Sequence, residues 1–328
     1  MRYLFIISNE INQKELRKLE DTIASLNEDM RNSIELRYIK QPGQASDLAV
    51  EASEMSDENV TVVVCGGDNI IHEVVNGLAY RSTPLAVIPV GSENCFARTV
   101  TPEYIMLHPE KAIGILDQLR KIPVDLVRID SYDILGNHLP VWSRYFLNVA
   151  SFGFETRALT YSSEILEKNH KLTRKAAGIR GVLHALKKVT TYKMDYNLEI
   201  VNSETNEICQ DGEYLSISVC NGKYNNGCMM APTAKIDDGV LDICVTEYPG
   251  KLKALKLFML ARFGKHVEDE HVKIFKATSG IISCKDNSFQ LLGNTDGEMF
   301  YGNRVRFEVF PEALYFSYFP KEEQQKRS

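Results

Sequence analysis

The sequence lacks the features that mark several common classes of protein. No apolar run approaches the ~18 residues that a membrane-spanning helix needs, and the apolar start of the chain is too short for a signal peptide. Basic residues do not outnumber acidic ones, 38 against 44, so a nucleic-acid-binding surface is not expected. With 328 residues and 44% hydrophobic composition, the chain is expected to form about two globular domains in the cytoplasm.

Four familiar motifs are also missing. The seven cysteines never form Cys-x-x-Cys, and their apolar surroundings predict reduced thiols in the core. His72-Glu73 has Asn76 where a zinc-protease helix carries its second histidine, so we expect no zinc site there. The Walker loop and Gly-x-Gly-x-x-Gly are both absent, and any nucleotide must therefore be bound by other loops.

Hydrophobic periodicity divides the chain into two parts. Up to about residue 125, short apolar runs alternate with helical spacing, as in Leu16 to Met30 and Ile70 to Leu78, which predicts a parallel sheet covered by helices. Beyond Pro123, short apolar runs are separated by turn pairs such as Asp238-Gly239 and Asp296-Gly297. This second part is predicted to be antiparallel β structure, interrupted by helices at 155–189 and 251–266.

Two glycine-containing turns follow neighbouring strands of the predicted parallel sheet. Gly66-Gly67-Asp68 comes after an apolar strand and precedes a helix, and Gly91 follows the next strand. Such turns present backbone N–H groups and a helix N-terminus, which bind phosphate oxygens, although many of them only connect a strand to a helix. Because the carboxyl ends of parallel strands meet at one edge of a sheet, the two turns are expected to form one crevice.

The motifs around these turns resemble those of the diacylglycerol kinase-like lipid kinases, which include sphingosine kinases and bacterial diacylglycerol and phosphatidylglycerol kinases. The matches run in order along nearly the whole chain. They comprise Gly66-Gly67-Asp68 with Glu73 and Asn76-Gly77-Leu78, the segments 84–98, 148–154, 221–224, 231–242 and 264–266, and Asp296-Gly297-Glu298.

The resemblance implies a fold of class α/β plus β-rich. An N-terminal parallel α/β nucleotide-binding domain would span 1–125 with a return strand at 311–320. A C-terminal antiparallel β-sandwich-like domain with inserted helices would span 126–310 and bind the lipid, with a cleft between the domains. Residues 321–328 would form a flexible tail.

The resemblance also implies roles for individual residues. Asp296 is expected to be the general base, beside Glu298 as a second carboxylate, with Asp68 as the partner of Mg²⁺ and the nucleotide. Without the resemblance, Asp296-Gly297 is most simply a hairpin turn, and Asp296→Asn is expected to remove the base while leaving the fold nearly unchanged. The residues expected to bind the nucleotide are Gly66, Gly67, Asp68, Asn69, Glu73, Gly91, Ser92 and Asn94.

A group of three aspartates and a basic segment can each be interpreted either as a functional site or as ordinary structure. Asp237, Asp238 and Asp242 are hard oxygen ligands, and the resemblance implies a structural divalent ion near them; the alternative is a solvated Asp-Gly turn. The basic residues within 168–188 would contact an anionic membrane surface, or form a solvated helix face.

The departures from the family pattern lie in the phosphate-binding loops. Asn69, Ile70 and Glu93 stand where the family usually has Gly, Thr and Gly, and Asn225-Asn226 replace glycines. Asn tolerates left-handed backbone, so Asn69, Asn225 and Asn226 are expected to keep the turns. Glu93 would place a negative charge beside the phosphates and is expected to weaken nucleotide binding more than the neutral changes do.

The sequence therefore predicts a lipid kinase that uses ATP and Mg²⁺ to phosphorylate a membrane lipid hydroxyl, peripheral to the inner face of the membrane. The first alternative is a catalytically impaired relative that binds lipid or regulates another protein, and the second is an NAD kinase relative. A homodimer is left open.

Overall fold

A computed structural model gives the fold. It describes residues 1–55, 59–91, 93–133, 140–169, 171–188, 194–202, 206–284 and 290–321, without the side chains of 174–175, 194–202 and 206–213. The chain forms two compact units: unit 1 is Met1–Leu126 with the described part of Phe310–Ser328, and unit 2 is Val127–Val309. Within the described residues, no helix is both long and apolar enough to cross a membrane.

Unit 1 contains a parallel sheet whose central strands are buried on both faces. Its strand order is β2-β1-β3-β4, followed by the end of β17, in which Phe316 pairs with Leu85. The strands are β1 (Arg2–Ile7), β2 (Ile34–Tyr38), β3 (Val60–Gly66), β4 (Leu85–Pro89) and β17 (Arg304–Tyr318). β3 and β4 are fully buried, as their continuous apolar sequences require in a doubly covered sheet.

Helices connect these strands and cover the sheet. They are α1 (Gln13–Ala24), α2 (Glu28–Asn32), α3 (Gln44–Glu54), α4 (Asp68–Leu78), α5 (Cys95–Val100), α6 (Glu103–Leu107) and a 3₁₀ segment at Pro109–Gln118. The single helix predicted up to Met30 was wrong. The first helix ends at Ala24, and Asn27, with an extended backbone, accepts a hydrogen bond from the Met30 N–H and caps the next helix.

Unit 2 is built on antiparallel strands. The order is β16-β15-β7-β9-β8-β14-β17, and β12 pairs with both β9 and β13. The strands are β5 (Arg120–Tyr132), β6 (Trp142–Phe146), β7 (Val149–Gly153), β8 (Met194–Asn202), β9 (Asn206–Cys220), β10 (Tyr224–Asn225), β11 (Cys228–Met229), β12 (Leu241–Glu247), β13 (Val272–Ala277), β14 (Ser279–Cys284), β15 (Leu291–Thr295) and β16 (Glu298–Gly302).

Among the described residues of unit 2, three α-helices interrupt the strands, and a 3₁₀ segment at Lys265–Glu268 follows the third. The three α-helices are α7 (Phe154–Lys168), α8 (Arg174–Lys188) and α9 (Lys251–Ala261). The helical stretch predicted at 155–189 is thus two helices, and its last residue lies outside the described residues. α7, α8 and α9 share an apolar cluster that includes Phe154, Ala185 and Ala254.

The predicted fold class is confirmed: a parallel α/β sheet in the N-terminal part and antiparallel β structure with inserted helices in the C-terminal part. The expectation for the cysteines is also confirmed for Cys65, Cys95, Cys220, Cys228, Cys244 and Cys284, which are buried and form no disulfide. Burial raises the pKa of the Cys65 and Cys244 thiols, so these two remain protonated and unreactive. The side chain of Cys209 lies outside the described residues.

Candidate active site

Three loops of unit 1 meet at the carboxyl ends of the parallel strands. A Cβ atom placed on Gly91 would lie 2.5 Å from the Gly67 Cα, so the loops after β3 and β4 touch through their backbones. A Cβ on Gly66 would lie 3.0 Å from the Ser8 Cβ, which brings the end of β1 to the same place. The two glycine turns therefore meet as expected from the sequence, and only glycine fits at Gly91.

Asn94 closes the loop after β4 on itself. Its backbone is left-handed, with φ 50° and ψ 44°. Its Oδ1 accepts a hydrogen bond from the Gly91 N–H at 2.9 Å, and its Nδ2 donates to the Gly91 carbonyl at 2.9 Å. Asn94 therefore fixes the loop and starts α5. Ser92 lies outside the described residues.

The asparagines expected to replace glycine do so at only one of three positions. Asn226 is left-handed, with φ 47°. Asn69 instead lies in the first turn of α4, and Asn225 lies in β10, so the prediction was wrong for these two. Ile70 is part of the core, because its side chain faces the packed side of α4.

The predicted acidic residues of unit 1 cap neighbouring helices. The two carboxylate oxygens of Asp68 accept hydrogen bonds from the Cys95 and Phe96 N–H groups, both at 2.9 Å. Glu73 accepts from the Ala45 N–H at 3.2 Å, in the first turn of α3. Asp68 thus joins the two glycine loops by stabilising the N-terminus of α5, whereas Glu73 joins α4 to α3.

Asp296 is held by backbone amides in unit 2. Its Oδ2 accepts from the Leu147 and Asn148 N–H groups at 2.8 and 3.1 Å, and its Oδ1 accepts from the Val149 N–H at 2.9 Å. Asp296 has φ 46° and Gly297 has φ 101°, the combination of a two-residue type I′ hairpin turn between β15 and β16. The turn therefore aims a nearly buried carboxylate at one backbone segment.

Three separated motifs meet at this carboxylate. The Asn148 carbonyl accepts from the Asn221 and Gly222 N–H groups at 2.9 and 2.8 Å. The Asn148 Nδ2 donates to the Tyr224 carbonyl at 2.6 Å, and the Asn221 Nδ2 donates to the Leu147 carbonyl at 2.8 Å. The sequence motifs at 148–154, 221–224 and 296–298 are therefore parts of one hydrogen-bonded network. Asn148 and Asn221 begin two of the family motifs, but the sequence alone did not predict that they join these motifs through hydrogen bonds.

Glu298 lies next to the turn and is partly exposed. Its Oε1 accepts from the Trp142 Nε1 at 3.3 Å, and its Oε2 lies 3.4 Å from the Arg144 Nε. The Trp142 ring stacks on Phe300 with 4.4 Å between centroids. Glu298 is thus oriented by Trp142 and Arg144 of β6. The sequence does not predict these contacts, because they depend on how the fold of unit 2 brings β6 close to Glu298.

The three aspartates expected to bind a metal do not form a ligand set. Asp242 is buried, forms an ion pair with Lys276, and accepts from the Thr233 Oγ1 at 3.0 Å, so its charge is already neutralised. Asp237 and Asp238 are exposed, and Asp238 accepts from the Val240 N–H as in an ordinary Asp-Gly turn. These side chains do not fit a resident divalent ion.

Within the part of the chain that the structure describes, one cluster has ligand atoms close enough together to hold a metal ion. It is formed by Asp269, Glu270 and His271. The Lys253 Nζ already lies 3.2 Å from Asp269 and 3.1 Å from Glu270. An ammonium group therefore takes the position that a metal would need.

Glu155, the first-turn acid of α7, is a titratable group that the sequence did not single out. Its carboxylate accepts a hydrogen bond from the Ser218 Oγ at 3.2 Å. Burial raises the pKa of Glu155 to about 7, and hydrogen bonds from Ser218, Ser216 and Asn225 oppose this shift. Nearby in the same pocket, burial lowers the pKa of His266 to about 4. Both groups are therefore stabilised in their neutral forms.

Glu155→Gln is expected to raise the free energy of unfolding at pH 8 and to change it little at pH 5. The folded protein binds the Glu155 proton more tightly than the unfolded chain, so this contribution is present below about pH 4.5 and is lost as the pH rises to about 7. The Glu155 side chain keeps some solvent exposure. We therefore expect the variant to gain about 2 kcal/mol in free energy of unfolding at pH 8, rather than the full free energy that corresponds to the pKa shift. Guanidinium denaturation at both pH values measures it.

Comparing the variant with the wild type at each pH cancels the contribution of His266. That contribution has the opposite sign, because it is present above about pH 6.5 and lost as the pH falls to about 4. Equal stability differences at pH 5 and pH 8 would show that Glu155 does not titrate in this range.

The two parts of the chain match two family profiles. The diacylglycerol kinase catalytic domain matches residues 2–129, and the YegS C-terminal NAD kinase beta sandwich-like domain matches residues 149–317. The first contains Asp68 and the glycine loops. The second contains Asp296, Glu298 and most of the network around Asp296.

Similar proteins extend over most of the chain. A protein of Serratia proteamaculans named "Probable lipid kinase YegS-like" is 28% identical over 87% of this chain and 85% of its own length. A protein of Pseudomonas aeruginosa with the same name is 27% identical over 85% of this chain and 82% of its own length.

Solved structures share the fold. The structure of a diacylglycerol kinase from Bacillus anthracis aligns with a TM-score of 0.65 at 20% identity, over 97% of both chains. Yeast NADH kinase aligns with a TM-score of 0.53 at 9% identity, over 99% of this chain and 86% of its own, so the NAD kinase relationship is the more distant one. Since one profile alone covers half of the sequence and both agree with the motifs, the chain belongs to the diacylglycerol kinase-like lipid kinase family.

Proposed function

We propose that this protein is an ATP-dependent lipid kinase that transfers the γ-phosphoryl group of Mg-ATP to a hydroxyl group of a membrane lipid. The observation that carries the proposal is the network that joins three family motifs around the Asp296 carboxylate. A carboxylate held by fixed backbone donors is pre-organised, as a general base must be.

The donor nucleotide is assigned to the loops of unit 1. The backbones of Gly67 and Gly91 approach closely, and the N-terminus of α4 follows directly. Backbone N–H groups and the positive end of a helix favour phosphate oxygens. Mg²⁺ enters with ATP as part of the substrate, because Asp242 is paired with Lys276, and Asp237 and Asp238 are exposed rather than gathered around an ion.

The acceptor hydroxyl is assigned to the carboxylates of unit 2. Asp296 accepts the hydroxyl proton while the lipid oxygen forms a bond to the γ-phosphorus and the bond from that phosphorus to the ADP oxygen breaks. ADP and the phosphorylated lipid are the products. Glu298, which is more exposed and paired with Arg144, is assigned to orienting the acceptor rather than to taking its proton.

Membrane contact is part of the proposal, because the lipid hydroxyl lies at a bilayer surface. Exposed basic side chains on α7, α8 and the turn between them favour an anionic surface. They are Lys168, Lys171, Arg180, Lys187 and Lys188, while the side chains of Arg174 and Lys175 lie outside the described residues.

The proposal is tested by incubating the purified protein with γ-labelled ATP, Mg²⁺ and mixed lipid vesicles. We expect label in the lipid extract, and mass spectrometry of the labelled product identifies the lipid. No label, under conditions in which a reference lipid kinase is active, would overturn the proposal.

A catalytically impaired relative is the second candidate. It is favoured by Asp68, which caps α5 with both carboxylate oxygens, and by the altered loop residues. Calorimetry with Mg-ATP separates the two candidates: a kinase gives a saturable heat, and a relative that has lost nucleotide binding gives none.

Glu93→Gln is expected to tighten Mg-ATP binding by about threefold to tenfold. The Glu93 side chain is exposed, so water screens its repulsion of the phosphates and the effect on binding is smaller than that of a desolvated carboxylate. Ile70→Thr cannot serve as a neutral comparison for the Glu93 variant, because Ile70 belongs to the core.

The measurement is a titration of the variant with Mg-ATP at two ionic strengths. Glu51→Gln, an exposed acid on α3, is the matched control and should leave the affinity unchanged. Weaker binding by the Glu93 variant would mean that Glu93 takes part in binding Mg-ATP.

A further inference from the structure

Helix α9 of unit 2 exposes an apolar stripe to solvent. Leu252 is 88% exposed and Met259 is 61% exposed, while Phe263, in the turn that follows the helix, is 73% exposed. These residues are seven and four positions apart, which places them on one side of the helix. Ala254, Leu257 and Ala261 on the opposite side are buried.

The stripe is surrounded by basic residues. Between residues 249 and 267 the chain has no Asp or Glu, although the protein as a whole has a formal charge of −6. Lys253 is paired with Asp269 and Glu270, at 3.2 and 3.1 Å. The other basic residues of this segment are exposed, and they are Lys251, Lys256, Arg262 and Lys265.

We propose that the exposed face of α9 and the turn after it, Leu252, Lys256, Met259, Arg262 and Phe263, dock on an anionic lipid bilayer. An interfacial helix buries large apolar side chains at the boundary of headgroups and acyl chains while cations contact anionic lipids. An aromatic side chain such as Phe263 adds a large apolar area to this contact.

The charges argue against a second copy of the chain as the occupant. In a symmetric contact the same patch faces itself, so Lys256 and Arg262 would lie against like charges. An anionic bilayer complements both the cations and the apolar stripe. The docking rests on the α9 surface itself and does not depend on the proposed kinase activity.

Vesicle sedimentation of the full-length protein without nucleotide tests the proposal. We expect binding to mixed phosphatidylcholine–phosphatidylglycerol vesicles that weakens at high salt, and little binding to phosphatidylcholine alone. Met259→Ser with Phe263→Ser should reduce partitioning at least about tenfold, because it removes apolar area from the boundary. Lys256→Gln with Arg262→Gln should reduce it by about fivefold for each charge removed.

The matched control is Leu107→Ser with Ile122→Ser in unit 1, where the two side chains are 67% and 40% exposed. This variant should bind within about twofold of the wild type. Equal losses for the control and the α9 variants, or no loss for the α9 variants, would overturn the proposal. So would a dimer of the wild type that the α9 variants convert to a monomer, because the stripe would then be a self-contact.

A further variant keeps the test independent of folding defects. Phe263→Trp preserves an apolar ring, and the fluorescence of the introduced indole should shift to shorter wavelength when anionic vesicles are added. The wild type, whose one Trp is Trp142, supplies the reference emission. If the difference between the two emission spectra stays unchanged while the variant sediments with vesicles, the membrane contact lies elsewhere and the proposal fails.

Discussion

Asp296→Asn is expected to lower the rate of lipid phosphorylation at least about a thousandfold and to lower the free energy of unfolding by about 2–4 kcal/mol. The amide cannot accept the hydroxyl proton, which removes the general base. The sequence alone suggested that folding would be unaffected, because an asparagine fits the hairpin turn. The structure corrects this: the carboxylate accepts three backbone N–H groups, and an Asn would direct its own N–H₂ at one or more of them.

The effects on rate and stability are separated by measuring both on the same sample. Turnover is measured well below the melting temperature, and stability by guanidinium denaturation. Asp238→Asn is the control for stability, since it changes another Asp-Gly turn of unit 2 in which one N–H group contacts an exposed carboxylate. A variant at position 296 that keeps more than about a third of the wild-type rate would show that Asp296 is not the base.

Gly91→Ala is expected to destabilise the protein by about 2–4 kcal/mol and to abolish saturable binding of Mg-ATP. The new Cβ would lie 2.5 Å from the Gly67 Cα, 2.9 Å from the Gly67 N and 2.7 Å from the Asn94 Oδ1. Two of these atoms are backbone and cannot move without shifting the loop after β3, so the cost is that of an overpacked core. The same shift would separate the N–H groups assigned to the phosphates.

The control is Gly114→Ala in the 3₁₀ segment of unit 1, where an added Cβ meets no atom within 4 Å. It should change stability by less than about 0.5 kcal/mol. Both variants are compared by denaturation and by titration with Mg-ATP. Equal stability of the two variants would contradict the close approach of the loops after β3 and β4.

The sequence predicted those parts of the structure that depend on local patterns. Continuous apolar runs gave β3 and β4, and the Asp296-Gly297 pair gave a tight hairpin because both residues tolerate positive φ. Sequence also predicted that the two glycine turns would meet, since strand ends of a parallel sheet share an edge.

The remainder depends on partners that are distant in sequence. Asp68 is 27 residues from the Cys95 amide that it caps, and Asp242 lies opposite Lys276 across the β12–β13 pair. The cluster of three aspartates therefore looked like a metal site, although one of its members is neutralised by a lysine of the neighbouring strand. Asn69 has a helical rather than a left-handed backbone, because the residues that follow Gly67 already form the first turn of α4.

The network around Asn148 has a consequence for the kinetics of folding. It joins backbone segments that are 74 and 147 residues apart, so most of unit 2 must be in place before its hydrogen bonds can form. Partly folded chains would then have the hairpin turn but not the oriented carboxylate. Amide hydrogens of Leu147 and Val149 should accordingly exchange with deuterium only through global unfolding, which makes them reporters of the competent state.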